Sequence, residues 1–230
     1  MPCRNEEGNV PRYAGELLPA LDALGAPYEV LVVDDGSTDG TAAAAEAFAA
    51  ACPAAMLLRL ETNRGLGAAL RAGFEAARGP WIATLDADLT FDPAVLKDML
   101  ALARAQDADL VAGSPYLRAG DLASVAWARR LPSLMINALY RGLFGLGLTA
   151  YTPVFRLYRA ERLRELPLTS AGFEINAEIA ARAVQAGWRV AEIPAALGAR
   201  AAGVSKLRRG RELARHLSLI VRLLLSPAPR

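Results

Sequence analysis

Cysteine, histidine and long apolar runs are scarce in this chain of 230 residues, and each shortage closes off a class of function. The two cysteines, Cys3 and Cys52, form no metal-ligand spacing and read as reduced thiols, so neither a zinc centre nor a disulfide framework is expected. The single histidine, His216, lies in a basic C-terminal segment and reads as structural. With 26 Lys and Arg against 24 Asp and Glu, the net charge of +2 is too small to indicate a nucleic-acid partner. The N-terminal stretch PCRNEEGN is polar and carries no secretory signal. The best candidate for a membrane span, LSLIVRLLL at 217–225, is about half the ~20 residues a span needs and contains Arg222. It is expected to form a basic amphipathic helix, packed on the domain or resting on a membrane surface.

What is present is a foldable chain, 53% hydrophobic and 22% charged, in which apolar runs alternate with helical patterns. Strands are expected at 28–35, 54–60, 80–86 and 108–114, and helices at 38–51, 65–78 and 93–106. Thr38 or Asp39 would cap the first of these helices, and Pro93 would open the last in its first turn. Repeated strand–helix–strand units imply right-handed crossovers and a mostly parallel sheet flanked by helices, an α/β fold. The second half is a variable lobe on the sheet edge. It has a basic, apolar helix at 125–148 interrupted by Pro132, a strand and short helix around FRLYRAERL, a helix in FEINAEIAARAVQAG and a strand in WRVAEIPA. A single domain is expected, in three parts: residues 1–115, residues 116–207 and a basic amphipathic tail at 208–230. Because PCRNEE follows Met1 at once, the first strand of such a sheet is expected to be missing, its true start lying upstream.

Ligands of an open parallel sheet bind at the carboxyl ends of its strands. Those ends here read VVDDGSTDGT, TLDADL and VAGSPY. Asp34 and Asp35 stand beside Gly36 and Ser37, a tight turn where an acid can accept from a base N–H or a ribose hydroxyl. In DADLTFDP, an extended backbone would point Asp86 and Asp88 the same way, and two such charges repel unless a cation sits between them. Hard oxygen ligands suit Mg²⁺ or Mn²⁺, typically held by one or two carboxylates together with substrate phosphates.

The segments NEEGN, VVDDGSTDGT, NRGLGAALRAGFEAARG, DADL, GS-x-Y, GFEINAEI, AEIP and R-x-x-G-x-SKL follow the order seen in inverting family-two glycosyltransferases, which the chain resembles from Pro2 to about Leu207. The closest subgroup resembles dolichol-phosphate mannose synthase and its bacterial polyprenyl-phosphate relatives. The resemblance implies the GT-A nucleotide-diphospho-sugar transferase fold. It also implies that Pro2, Glu6, Asp34 and Asp35 hold the nucleoside of GDP-mannose or UDP-glucose. Asp86 and Asp88 would bind the metal and diphosphate. Arg129 or Arg130, Arg200, Ser205 and Lys206 would handle phosphates of donor and acceptor, and Glu178 would lie near the sugar. Asp88, Glu178 and Arg129 are the catalytic candidates. The resemblance makes 1–115 the nucleotide-sugar-binding half and 116–207 the acceptor-side half, and the chain departs from the family where Pro115 replaces an arginine, Ala150 an acid, Pro153–Val154 a Ser-Gly pair and Thr90 a common Gln.

The reading these features support is metal-dependent, inverting transfer of mannose or glucose to a polyprenyl phosphate, at the cytoplasmic membrane face, with peripheral contact through 131–148 and 213–225. Two alternatives stand beside it. One is a glycosyltransferase acting on a glycan or small alcohol, which would need an acid such as Glu178 as base. The other is a non-catalytic nucleotide-sugar-binding module.

Overall fold

The computed structural model describes residues 1–118, 127–144, 147–198 and 209–225. Strand β2 (Val30–Asp35), rich in valine, is the centre of a three-stranded parallel sheet, between β1 (Pro2–Cys3) and β3 (Ala55–Leu60). Of the first strand, then, two residues are in place: Pro2 pairs with Val33 and Cys3 with Asp34, and the Met1 carbonyl accepts from the Val33 N–H. The expectation of a missing strand is corrected to this extent, because two residues suffice to satisfy the edge groups of β2 that face them.

A second sheet runs β4 (Trp81–Thr84), β6 (Arg156–Arg159), β5 (Leu110–Ser114), β7 (Val190–Pro194). Strand β6 lies antiparallel between β4 and β5, while β5 and β7 are parallel. The parallel pattern is therefore broken by one inserted strand from the second half of the chain. Period-two alternation sorts the core into two layers. Leu110, Ala112 and Tyr158 face one cluster, built with Leu70, Phe74, Ile175, Ile179 and Leu219. Val111 and Leu157 face the other, with Tyr13, Phe48, Leu96 and Met99. Helices α1 (Tyr13–Asp22), α2 (Thr41–Ala51) and α4 (Val95–Ala105) contribute to the second cluster. Helices α3 (Leu66–Ala76), α5 (Trp127–Phe144), α6 (Ala160–Arg164), α7 (Ile175–Gln185) and α8 (Arg209–Leu225) contribute to the first.

Three local expectations shift. The start of α2 is served by Asp39, whose Oδ1 accepts the Thr41 N–H at 3.0 Å from outside the helix. Pro93 lies just before α4, where Asp92 accepts the Ala94 N–H at 2.9 Å. Helix α5 runs through Pro132 without interruption.

Helix α8 buries His216, Leu219, Ile220 and Leu223 at helical spacing and leaves Leu213, Leu217, Val221, Leu224 and Leu225 exposed on the other side. Helix α5 likewise turns Ile136 and Tyr140 inward and leaves Leu134, Met135, Leu139 and Leu143 exposed. Among the described residues no helix is long and apolar enough to cross a membrane. The seam between these helices holds a hydrogen bond of 3.1 Å between the Tyr140 hydroxyl and His216 Nδ1. Burial pushes the His216 pKa down from its ordinary 6.5, against the pull of Glu174. The unfolded chain therefore binds this proton more readily, so stability is full above about pH 6.5 and falls on acidification below it. Unfolding midpoints at pH 7.5 and 5.5 should show this drop, and His216→Gln should reduce it.

Candidate active site

The carboxyl ends of β1 and β2 feed two loops that are laced together. The Asn5 N–H donates to Ser37 Oγ (2.9 Å), the Thr38 N–H to Asn5 Oδ1 (2.9 Å) and the Gly40 N–H to Glu7 Oε2 (2.8 Å). The Glu6 N–H donates to Thr41 Oγ1 at 2.7 Å, and Glu6 Oε2 accepts from Asn9 Nδ2 at 2.7 Å. Pro2, Glu6, Asp34 and Asp35 are thus brought together on one lip, as the sequence grouped them. The two aspartates differ in use. Asp35, 4% exposed, accepts the Arg64 N–H at 2.7 Å on one oxygen and the Gly65 N–H at 2.8 Å on the other. Asp34 is fully buried; its Oδ1 accepts the Ser37 N–H, and its Oδ2 makes no hydrogen bond, with Arg59 Nε 3.9 Å away. Gly36, at φ +63°, has no room for a side chain against the backbone of Thr62 and Asn63, which explains glycine in this turn.

The Asp86–Asp88 segment is not extended. Strand β4 ends at Thr84, residues 87–88 form a turn, and Leu89 takes φ +52°. Strand alternation therefore does not set the directions of these two side chains, contrary to the expectation of an extended backbone through DADL. Asp86 is half-buried and Asp88 is 3% exposed. The turn is held by its backbone: the Tyr13 hydroxyl donates to the Ala87 carbonyl (3.0 Å) and Arg12 Nη1 to the Asp88 carbonyl (3.0 Å). Asp88 Oδ1 accepts the Thr90 N–H at 3.1 Å. Burial and the nearby Cys3 raise the Tyr13 pKa, so its hydroxyl stays protonated as a donor. Two carboxylates on one turn, one buried and one partly open, fit the protein's share of a Mg²⁺ or Mn²⁺ seat completed by substrate phosphates. Among the described residues no cluster of three His, Cys, Asp or Glu is poised for a metal.

On the other flank, Ser114 Oγ lies 2.6 Å from Thr149 Oγ1. Glu192 of β7 accepts from the Thr149 and Ala150 N–H groups at 2.7 and 3.0 Å. Ala150 is fully buried, and so is Arg156, whose guanidinium donates to the carbonyls of Asn176 (2.5 Å) and Tyr151 (2.7 Å). Glu178 has no exposed surface. Burial raises its pKa, but hydrogen bonds from Ser170, Thr169 and Arg182 outweigh that and hold it below the usual carboxylate value. It accepts from the Ser170 N–H (2.8 Å), the Thr169 hydroxyl (3.1 Å) and Arg182 Nε (3.1 Å), so the structure gives it a loop to hold.

Arg200, Ser205 and Lys206 lie outside the described residues, as do the side chains of Arg129 and Arg130, whose backbone belongs to α5. Gly198, two positions before Arg200 in sequence, donates to the Thr90 carbonyl at 2.8 Å, beside the Asp88 turn. The supporting roles of Glu7, Arg12, Tyr13 and Glu192 were not read from sequence. Only Glu7, within NEEGN, and Glu192, within AEIP, carried a signal, and it named no task for either.

The Glycosyl transferase family 2 model matches residues 1–166. A polyprenol monophosphomannose synthase of Mycolicibacterium smegmatis is 35% identical over 214 residues, covering 90% of this chain and 79% of that protein. An undecaprenyl-phosphate mannosyltransferase of Micrococcus luteus is 34% identical over 216 residues, covering 91% and 86%. Among solved structures, glucosyl-3-phosphoglycerate synthase from Mycobacterium tuberculosis, in complex with Mn²⁺ and UDP-glucose, matches with a TM-score of 0.66 at 21% identity. That match covers 100% of this chain and 78% of the other, and it shows the fold.

Proposed function

The chain belongs to glycosyltransferase family 2, and on that premise we propose that it transfers mannose or glucose from a nucleotide-diphosphate sugar to a polyprenyl phosphate, with inversion and with a divalent metal. The observation that carries the proposal is the pair of acidic turns, Asp34–Asp35 and Asp86–Asp88, at the carboxyl edge of the strands. Both curated relatives are named for mannosyl transfer to such a lipid, which favours mannose as the sugar.

An acceptor phosphate oxygen would attack the anomeric carbon, and the bond to the nucleoside diphosphate would break on the opposite face. Mg²⁺ or Mn²⁺ bound at Asp86 and Asp88 would offset the negative charge growing on the leaving diphosphate. The protein contributes a turn set before substrate arrives, since Arg12, Tyr13 and the Thr90 N–H already hold it. The laced loops at 5–7 and 37–41 would seat base and ribose against Asp34 and Asp35. Arg129 or Arg130, Arg200, Ser205 and Lys206 would meet the phosphates. A phosphate acceptor is already anionic and needs no general base, which agrees with Glu178 being buried and ion-paired. An alcohol acceptor would need the base that Glu178 does not offer in this position. The exposed apolar stripes of α5 and α8 would rest on the cytoplasmic membrane face, where such a lipid is met.

Calorimetry with GDP and with UDP, with and without Mn²⁺, should show metal-dependent binding of one nucleotide. Incubation of GDP-mannose or UDP-glucose with a short polyprenyl phosphate should yield the glycosylated lipid. Nucleotide binding with no transfer to any acceptor would overturn the catalytic reading and leave a binding module. Failure to sediment with anionic vesicles would remove the peripheral contact.

A further inference from the structure

The loop at residues 169–172 touches three helices, and two of its contacts come from α8. Arg222 Nη2 donates to Ser170 Oγ at 2.9 Å and lies 3.9 Å from Glu178. One heptad earlier on the same helix, Arg215 covers Gly172, where a side chain would overlap its guanidinium. From α7, Glu178 accepts the Thr169 and Ser170 N–H groups. The loop passes this constraint on to α3. Arg71 donates to the Ser170 carbonyl, and the Gly67 N–H donates to the Ala171 carbonyl at 2.8 Å. A methyl at Gly65 or Gly67 would overlap the carbonyl oxygens of Ala171 and Ser170, so the turn that begins α3 is seated directly on loop backbone. That same turn donates its Arg64 and Gly65 N–H groups to Asp35.

We infer that Arg222 is a positioning residue for the donor site: from α8 it fixes Ser170 and the 169–172 loop, and through the Gly65–Gly67 turn it fixes Asp35. The inference rests on the donor reading above, in which Asp35 meets the nucleoside, and adds a distant residue on which donor affinity depends. Its physical basis is continuity of short, directional contacts whose accepting groups are buried, although Arg222 itself is partly exposed. Ser170 is 2% exposed, Glu178 fully buried and Asp35 4% exposed, so a shift of the loop is transmitted through packed groups at these three points. It also gives α8 two tasks on opposite faces. The outward stripe is apolar, and the inward side sets loop geometry, so seating α8 and ordering the donor site are one event.

The test is nucleotide binding by the full chain, read by calorimetry with Mn²⁺ and whichever of GDP or UDP the wild type binds. Arg222→Met keeps the stem's bulk and removes the donor; Ser170→Ala removes only the hydroxyl. Each is expected to weaken nucleotide binding about three- to tenfold, within the range of one lost hydrogen bond. The double variant should be no weaker than the singles, because both remove the same contact. In turnover assays the loss should appear in the donor KM, with kcat within about twofold of wild type. If both variants lower the unfolding midpoint while nucleotide affinity stays at the wild-type value, Arg222 is only structural and the inference is overturned. Additive losses in the double variant would overturn it as well. A wild-type protein that binds neither nucleotide would instead overturn the donor reading on which the inference stands.

Discussion

Replacing Asp88 with asparagine should cut hexose transfer by about 10²- to 10³-fold, the cost of removing one preorganised group that stabilises charge in the transition state. The substitution is nearly isosteric, and the amide oxygen still accepts the Thr90 N–H, so the turn should persist. Arg12 and Tyr13 hold it through backbone carbonyls, which the change leaves untouched. What is lost is the buried negative charge that a divalent cation requires. Initial rates over a range of Mn²⁺ should therefore show both a lower maximum and a higher metal requirement, while the unfolding midpoint stays close to wild type. Unchanged turnover in Asp88→Asn would place the metal seat elsewhere. The same change at Asp86, on the open side of the turn, should show the metal dependence more than the loss of rate.

Glu178→Gln should instead act on the fold. Removing one partner of a buried ion pair costs about 3–5 kcal/mol, which for a chain of this size lowers the melting temperature by roughly 6–20 °C. Arg182 is 6% exposed and would keep its charge with no compensating carboxylate at 3.1 Å. The Thr169 and Ser170 N–H groups would compete for a single remaining oxygen. A differential scan of wild type and variant measures this directly. Because the folded carboxyl holds its proton less tightly than the unfolded one, its contribution is complete above the unfolded value of 4.5 and is lost as pH falls below it. The variant's deficit should therefore shrink toward acid pH. A base in the reaction would show the reverse pattern, with kcat falling and the melting temperature unchanged.

Much of residues 1–115 was legible because the signals there are local. Runs such as YEVLVV and AAMLLRL become strands where period and side-chain shape require it, and acids fall at their carboxyl ends in the order that the family resemblance also carries. Pro2, Glu6, Asp34 and Asp35 fall on neighbouring segments because strands β1 and β2 end side by side. The features that depart from the sequence pattern share a cause as well. Strand β6 enters between β4 and β5 by pairing residues 156–159 with segments far away in sequence, a choice no local pattern records. The clamp on the Asp86–Asp88 turn comes from Arg12 and Tyr13, more than seventy residues earlier. The extended geometry assumed for that turn gave way to a backbone with Leu89 at positive φ.

By itself, then, the sequence determined the α/β alternation, the placing of carboxylates at strand ends and the family to which those motifs belong. These follow from backbone periodicity and from turn chemistry within a few residues. Only the tertiary structure decided how each acid is employed. Asp35 carries a turn, Asp34 keeps one oxygen without a hydrogen bond, Asp88 sits in a braced turn and Glu178 is enclosed with Arg182. The reason is that a carboxylate's role depends on which donors reach it and whether water can. Those donors arrive from elements that meet only when the chain is folded.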